Sequence, residues 1–88
     1  MKTAYKKNFL KDANNLPDQI KSAILDIAFR QIPDTENIQN INNLKKLSGF
    51  KNFYRIRYSD YRIGITIKHD KVVFLRVLHR KDIYKYFP

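Results

Sequence analysis

The chain has 88 residues, 43% of them hydrophobic and 30% charged, which is typical of one small globular domain with a single core. It contains no cysteine, which excludes a disulfide framework, a thiolate nucleophile and a cysteine-based zinc site. No apolar run approaches the roughly 20 residues that a membrane span requires. The first residues also lack the apolar stretch of a secretory signal, so we expect a cytoplasmic protein.

The formal net charge of +10 is concentrated in the second half of the chain. Residues 1–44 hold six Lys or Arg against five acids, whereas residues 45–88 hold twelve against three. Solubility alone does not require this asymmetry, whereas a surface that binds a polyanion does. The charge distribution therefore predicts an anion-binding surface in the second half, with RNA as the leading ligand.

The chain begins with a predicted short strand, Thr3–Tyr5, and a first helix between residues 6 and 15, where apolar residues recur at helical spacing. Leu16-Pro17 interrupts this pattern. Asp18 is suited to the N-cap of a second helix, because its carboxylate can accept from the free N–H groups of the first turn.

The second helix is predicted from an apolar stripe of helical period that runs from Ile20 to Ala28, and Pro33 ends it. Residues 1–33 thus contain a short strand and an antiparallel helical hairpin. The asparagine-rich residues 34–43 suit a connecting loop.

The second half predicts a β-meander within residues 44–79. Tyrosine and isoleucine alternate with arginine in Phe53–Tyr58, and residues 61–68 keep the same period of two. Val72–Leu78 is apolar enough for a central strand that is buried on both faces. Short polar turns separate the strands, at Ser59-Asp60 and at residues 69–71.

The predicted fold is α+β, with the order β-α-α-β-β-β and a C-terminal extension. Two antiparallel helices pack on one face of a small, mainly antiparallel sheet. We expect a single domain over residues 1–88, made of the strand and helical hairpin (1–33), the β-meander (44–79) and a polar-aromatic tail (80–88).

The alternation of the meander predicts that the sheet face opposite the helices carries arginines. These are Arg55, Arg57 and Arg62. Arginine binds phosphate through a planar fork of N–H donors, and few acids interleave with these positions, so a ligand-binding face is favoured over an ordinary solvated one. Arg76 lies in the middle of a strand and is expected to pair structurally with an acid such as Asp60 or Asp82.

Several segments taken together resemble the RelE branch of the RelE/ParE toxin superfamily. They are Leu44-Lys45-Lys46-Leu47-Ser48-Gly49, Phe53-Tyr54-Arg55-Ile56-Arg57, Asp60-Tyr61-Arg62-Ile63 and Val77-Leu78-His79-Arg80-Lys81-Asp82-Ile83-Tyr84. The resemblance spans essentially the whole chain. It implies a small toxin of a type II toxin–antitoxin system that a co-expressed antitoxin neutralises. It also implies a metal-independent endoribonuclease that cleaves mRNA in the ribosomal A site and so inhibits translation.

The resemblance also implies an active site. The family's two basic positions on the first strand of the hairpin match Arg55 and Arg57, and the arginine of the next strand matches Arg62. The arginine after the last strand matches Arg80, and the C-terminal tyrosine matches Tyr84, although its spacing differs. Well-known members carry lysines at the first two positions, and one lysine is assigned as the general base. Arginine, with a pKa above about 12, is a poor proton acceptor, so the identity of the base stays open.

RNA cleavage without a metal needs a proton acceptor, a proton donor and cations that stabilise the charge of the transition state. The expected catalytic residues are Arg62, Arg80, His79 and Tyr84, and the expected RNA-binding residues are Arg55, Arg57, Lys45, Lys46 and Lys81. The imidazole of His79 can exchange a proton near neutral pH, although a histidine at a strand end also suits a structural role. Tyr84 can stack on a base or donate a proton. The sequence has no Asp/Glu cluster for a divalent metal and no glycine-rich phosphate loop, so we expect no metal and no cofactor.

Two other functions stay open at this stage. Relatives on this fold poison DNA gyrase, but that branch generally lacks the set formed by Arg80 and Tyr84. A degenerate toxin that binds RNA or an antitoxin without cleaving is the other alternative, since the two lysines are missing. Besides the ribosome and mRNA, the expected partner is an acidic, amphipathic antitoxin that lies across the helices or adds a strand to the sheet.

Overall fold

A computed structural model describes every residue from Met1 to Pro88. Its strands and helices, in chain order, are β1 (Lys2–Tyr5), α1 (Lys7–Asn14), α2 (Asp18–Asp26), β2 (Leu44–Lys46), β3 (Phe53–Tyr58), β4 (Tyr61–Lys68), β5 (Lys71–His79) and α3 (Ile83–Tyr86). A π-helical turn, Ile27–Gln31, continues α2, and a 3-10 turn, Ile38–Asn40, lies in the loop before β2. The α+β class is confirmed, and the predicted elements occur in the predicted order, with β2 and α3 as additional elements. No helix combines the length and the apolar character that crossing a bilayer requires.

The five strands form one sheet in the order β1-β5-β4-β3-β2. Only β1 and β5 run parallel, and the other neighbours are antiparallel. The sequence did not reveal β2 as a separate strand, because three residues are too few for a period of two to be visible. The meander therefore has four strands rather than three.

The main hydrophobic core lies between the helices and one face of the sheet. The helical side supplies Phe9, Ala13, Ile24 and Ala28, which the predicted apolar stripes contain. The isoleucines of β4 face them, since Ile63 and Ile65 are fully buried. We call this side of the sheet the helix face and the opposite side the arginine face.

The start of α2 differs from the prediction. Pro17 is the N-cap residue, and Asp18 is the first helical residue without a capping hydrogen bond. Pro17 takes the extended backbone of an N-cap residue (φ −55°, ψ 147°), which the fixed φ of proline allows, so the helix begins at Asp18, one residue earlier than expected. The carboxylate of Asp18 still lies in the first turn, where the helix dipole favours a negative charge.

The position of β5 also differs from the prediction of a strand buried on both faces. It lies between β1 and β4, next to the edge of the sheet. Its residues on the helix face are buried, whereas Val73, Leu75 and Leu78 are only half-buried. A bulge interrupts its pairing with β4 at Gly64/Ile65, so that the register passes from Arg76 to Phe74 and leaves Leu75 unpaired.

Tight turns join β3 to β4 and β4 to β5, as predicted. Ser59 has φ 53° in the turn from β3 to β4, and His69 and Asp70 have φ 50° and 61° in the turn from β4 to β5. Two consecutive left-handed residues are typical of a two-residue hairpin turn, whose twist matches that of the strands. The turns fix the register, and the register decides which side chains share a face.

The C-terminal tail, residues 80–88, folds back over the arginine face. Ile83 is fully buried and Phe87 is 2% exposed, but neither belongs to the main core. The ring of Phe87 lies where Gly64 has no side chain and approaches Phe53 to 5.7 Å between ring centroids. A small second core therefore covers part of the face that the alternation predicted to be open.

Candidate nucleic-acid interface

The strand register brings the predicted basic residues of three adjacent strands onto one face. Arg57 lies directly opposite Arg62 across β3 and β4, and Arg55 lies opposite Gly64. On the other side of β3, Lys45 lies opposite Arg55. Because opposite residues of neighbouring strands point to the same side, these four basic side chains share the arginine face.

Arg62 lies at the centre of this group. Its Nη1 atom donates to the carbonyl oxygens of Ser59, at 3.0 Å, and Tyr61, at 2.9 Å. Partial burial, followed by the positive charges of Arg55 and Arg57, lowers the pKa of Arg62 from its ordinary value. Arginine remains a cation at neutral pH in spite of this shift, so the centre of the site keeps its charge.

Arg80 and Tyr84 reach the same place from the end of β5. The backbone N–H of Arg80 donates to the carbonyl oxygen of Asp60 at 2.7 Å, and its Nε atom lies 3.7 Å from the Asp60 carboxylate. Arg80 also lowers the pKa of Arg62, whereas Tyr84 raises it. Four arginines, named here the arginine cluster, thus lie together. They are Arg55, Arg57, Arg62 and Arg80.

Two shallow depressions run along the arginine cluster. The first, of about 340 Å³, is lined by Asn43, Arg57, Tyr58, Ser59, Asp60, Arg62 and Arg80. The second, of about 320 Å³, is lined by Asn43, Leu44, Lys45, Arg55 and Arg57. They share two lining residues, Asn43 and Arg57, and therefore adjoin each other; we refer to the two together as the basic groove. Each depression is near the lower limit of roughly 300–1,000 Å³ for ligand pockets, which suits a phosphate-linked chain lying along the surface better than an enclosed small molecule.

His79 does not join the arginine cluster. It lies opposite Tyr61 in the register, on the helix face, and the two rings meet edge-on at 5.4 Å between centroids. Its Nδ1 atom accepts a hydrogen bond of 3.1 Å from the backbone N–H of Lys81, so only Nε2 is left to exchange a proton. Its position is the one that a structural histidine at a strand end would have.

The two other predicted RNA-binding lysines differ from Lys45. Lys46 lies opposite Tyr54. Tyr54 packs against the main core, so Lys46 is on the helix face and away from the groove. Lys81 is exposed in the turn between β5 and α3, directly after Arg80.

Arg76 has a structural partner, as expected, but the partner is neither Asp60 nor Asp82. Its Nε and Nη2 atoms donate to the two carboxylate oxygens of Asp12 at 2.6 and 3.0 Å. This hydrogen bonding raises the pKa of Arg76. Asp12 lies near the end of α1, 64 residues from Arg76 along the chain, so no local pattern in the sequence identifies the pair.

Comparisons with known proteins identify the family of this fold. A family model described as "ParE toxin of type II toxin-antitoxin system, parDE" matches residues 4–84. The chain is a member of this toxin family. The predicted resemblance to the RelE/ParE superfamily is thereby confirmed.

Individual relatives agree with this assignment. The chain is 44% identical to Toxin RelE3 of Methanocaldococcus jannaschii over 92 aligned positions, which cover all of both proteins. It is similar to a toxin in the crystal structure of the RelB-RelE antitoxin–toxin complex from Methanococcus jannaschii, with 42% identity, 97% and 99% of the two chains covered and a TM-score of 0.73. The RelBE2 complex from Mycobacterium tuberculosis contains a further similar chain, with 26% identity, 90% and 96% coverage and a TM-score of 0.70.

The structure adds residues of this toxin's site that sequence reasoning missed. Asp60 is the only acid that lines the groove, and Asn43 lies where its two depressions meet. The sequence predicts Asp60 to be a turn residue. Its position between two strands that carry arginines could have indicated that it lies near the site. Asn43 has φ 63°, a backbone conformation to which asparagine is well suited, but nothing in the sequence connected that loop with the site.

Proposed function

We propose that this toxin is a ribosome-dependent endoribonuclease that acts in the cytoplasm, cleaving mRNA in the ribosomal A site. The observation that carries the proposal is that four arginines line one groove with only a single carboxylate, that of Asp60. Tyr84 is close enough to this groove for its charge to affect the pKa of Arg62. Arginine guanidinium groups bind phosphate oxygens through paired N–H donors, so a surface with this excess of arginine is suited to bind the phosphodiester backbone of RNA. The need for the ribosome is proposed from the resemblance to RelE toxins.

The proposed reaction is a transfer within the RNA. The 2′-oxygen attacks the adjacent phosphorus and loses its proton, while the bond from phosphorus to the 5′-oxygen breaks and the leaving oxygen gains a proton. The products are a 2′,3′-cyclic phosphate and a new 5′-hydroxyl end. The phosphoryl oxygens gain negative charge in the transition state, so cations placed beside them lower the barrier.

The arginines divide between binding and catalysis. Arg55, with Lys45 beside it, lies at the end of the groove away from Asp60, so we assign these two residues to holding the RNA backbone. Arg62 and Arg80 lie in the other depression, and we assign them to stabilising the charge on the reacting phosphate. Arg57 lines both depressions and connects the two tasks.

Asp60 is the proton acceptor that the geometry favours. A guanidinium cannot take a proton, and Asp60 supplies the one carboxylate in the groove. His79 is the alternative, but its ring lies on the helix face and its Nδ1 already accepts the Lys81 N–H. Replacing Asp60 by Asn is therefore expected to lower kcat more than replacing His79 by Asn. The opposite order would assign the base to His79.

Tyr84 is suited to contact the base next to the reacting phosphate. Its side chain is 58% exposed, and its hydroxyl makes no hydrogen bond within the protein. An exposed aromatic ring beside a basic groove is typical of single-stranded RNA recognition, where bases stack on aromatic side chains. Tyr84→Phe tests proton donation by the hydroxyl, and Tyr84→Ala tests stacking.

We also propose a cognate antitoxin as the protein partner. The structural relatives include toxins solved in RelB-RelE and RelBE2 complexes. The net charge of +10 favours an acidic partner, and two large apolar side chains on the helical side, Leu10 and Phe29, are 44% and 48% exposed. An amphipathic segment whose apolar side chains pack on the helices and whose acidic residues extend to the arginine face would cover both features.

A gyrase poison is the second candidate, because the matching family model is named after ParE toxins. The two candidates differ in their targets and therefore in their products. After induction of the chain in a bacterial host, mapping of RNA 5′ ends is expected to show new ends inside translated reading frames. Growth arrest with intact mRNA and a DNA-damage response would favour the gyrase candidate.

A reconstituted assay tests the proposal directly. Purified toxin is mixed with mRNA alone and with mRNA on programmed ribosomes, and we expect cleavage only on the ribosome. Arg62→Ala is expected to abolish most of the cleavage, whereas Lys68→Ala is the matched control. Lys68 is an exposed basic residue at the other end of the same strand, and it lines no part of the groove. Equal losses in both variants would show that general charge, and not the arginine cluster, carries the activity.

A further inference from the structure

We propose that Phe87, packed against Gly64, is the positioning residue that holds Tyr84 at the arginine cluster. The inference deepens the proposed nuclease function, on which it rests for its catalytic consequence. Helix α3, which contains Tyr84, has only four residues. A single helical turn is not stable by itself, so contacts on either side of it must determine where Tyr84 lies.

The contact on the C-terminal side depends on a missing side chain. A Cβ atom placed on Gly64 would lie 2.6 Å from the Cγ and Cδ1 atoms of Phe87, so the phenyl ring occupies the space that any other residue would fill. Phe87 is 2% exposed there, and Phe53 covers it from the neighbouring strand. Glycine in the middle of a strand lowers its stability, and a closely packed ring accounts for its presence.

A second contact joins the tail to the rest of the protein. The guanidinium of Arg76 lies over the ring of Tyr86, with its Cζ atom 5.2 Å from the ring centroid, and Asp12 binds that guanidinium from α1. On the N-terminal side of Tyr84, Ile83 is fully buried. Tyr84 is thus exposed, but the packing of Ile83 before it and of Tyr86 and Phe87 after it fixes its position.

The anchoring matters because Tyr84 has no hydrogen bond of its own that would hold it near the groove. If the anchor is removed, the tail is released and the ring samples many positions. The phosphate-binding arginines stay in place, because they are on β3, β4 and the turn after β5. Loss of Phe87 should therefore lower kcat and change KM by no more than Tyr84→Ala changes it, because the arginines still bind the phosphates.

The first test measures the tail without RNA. Hydrogen exchange followed by mass spectrometry compares the wild-type protein with Phe87→Ala, Gly64→Ala and the control Lys85→Ala, an exposed residue of the same tail. Exchange in residues 83–87 is expected to be at least about tenfold faster in the first two variants, because a buried ring is lost or displaced, and unchanged in the control. In the Phe87→Ala background, Gly64→Ala should add nothing, since the clash is gone. Unchanged exchange in Phe87→Ala overturns the proposal.

The second test joins the anchor to catalysis. In the ribosome assay, Phe87→Ala is expected to lower kcat to about the level of Tyr84→Ala, and the double variant should lose no more than about twofold further. Full additivity of the two losses would overturn the positioning role. Faster tail exchange in a protein that never cleaves mRNA would support the anchor and overturn the nuclease function, so the two failures are distinguishable.

Discussion

Replacing Asp12 by Ala should destabilise the fold far more than its place on the surface of α1 suggests. Strand β1 pairs only with residues 71–74 of β5, so the rest of that edge has no neighbouring strand. Asp12 provides a hydrogen-bond acceptor at this edge. Its two carboxylate oxygens bind Arg76, and one of them also accepts the N–H of Val77 at 3.2 Å. Its removal leaves one cation and one backbone donor without a partner.

The magnitude follows from the burial of the pair. The side chains of Asp12 and Arg76 are 11% and 23% exposed, so the pair is closer to a buried ion pair than to a surface one. Breaking a buried pair costs roughly 3–5 kcal/mol, and the residual exposure of Arg76 reduces this to about 2–3 kcal/mol. Alanine returns about 0.5 kcal/mol through its helix propensity, which leaves a net loss of about 2 kcal/mol.

Urea denaturation followed by circular dichroism measures this loss as a shift of the midpoint at constant slope. The matched control is Asp26→Ala, which breaks the exposed i,i+4 pair of Asp26 with Arg30, whose side chains are 41% and 65% exposed. We expect the control to change the midpoint little. Equal shifts in the two variants would refute the argument from burial.

Three further predictions follow from the charged groups. Arg62→Lys keeps the positive charge but loses the forked N–H donors of the guanidinium, and Arg62→Ala loses both. We therefore expect kcat to fall moderately for Lys and by about 100- to 1,000-fold for Ala. If the Lys variant kept the wild-type kcat, the charge alone would be sufficient. Arg57→Ala should reduce the slope of log affinity for single-stranded RNA against log salt by about 0.7, measured by fluorescence anisotropy, if Arg57 binds one phosphate. Hydrogen bonds from Arg30 and then Gln31 lower the pKa of Asp26 to about 2. A carboxyl-carbon NMR titration should show this value, and Arg30→Ala should raise it towards 3.8. Since the folded-state pKa is depressed, the small stability that this exposed carboxylate contributes is present above about pH 4 and is lost as the pH falls through 2.

Much of the fold was predictable because local patterns and tertiary packing agree. The apolar stripe of α2 contains Ile24, which is fully buried, and the alternation of β4 placed Ile63 and Ile65 on the buried side. What failed depended on distant partners. The ion pair of Arg76 with Asp12 joins residues far apart in the chain, and no local pattern identifies such a partner.

The candidate site was predictable to the extent that it follows strand alternation. Arg55, Arg57 and Arg62 share one face, as the period of two predicted. His79 was predicted as catalytic because its imidazole can exchange a proton near neutral pH, but the register places its ring opposite Tyr61, on the helix face. The coverage of the arginine face by Phe87 could not be predicted, because it depends on a fold-back of the tail.

The directly opposed Arg57 and Arg62 imply that the free toxin holds unrelieved charge repulsion in its folded state. Like charges opposite each other across two strands destabilise a sheet, and Asp60 offsets only a small part of the local excess. Any polyanion that binds the folded groove stabilises the protein by mass action. An RNA backbone and an acidic protein segment would therefore compete for the arginine cluster, and binding of either would reduce the repulsion between its charges. The toxin's resistance to unfolding, and with it to proteolysis, would then depend on which anions surround it.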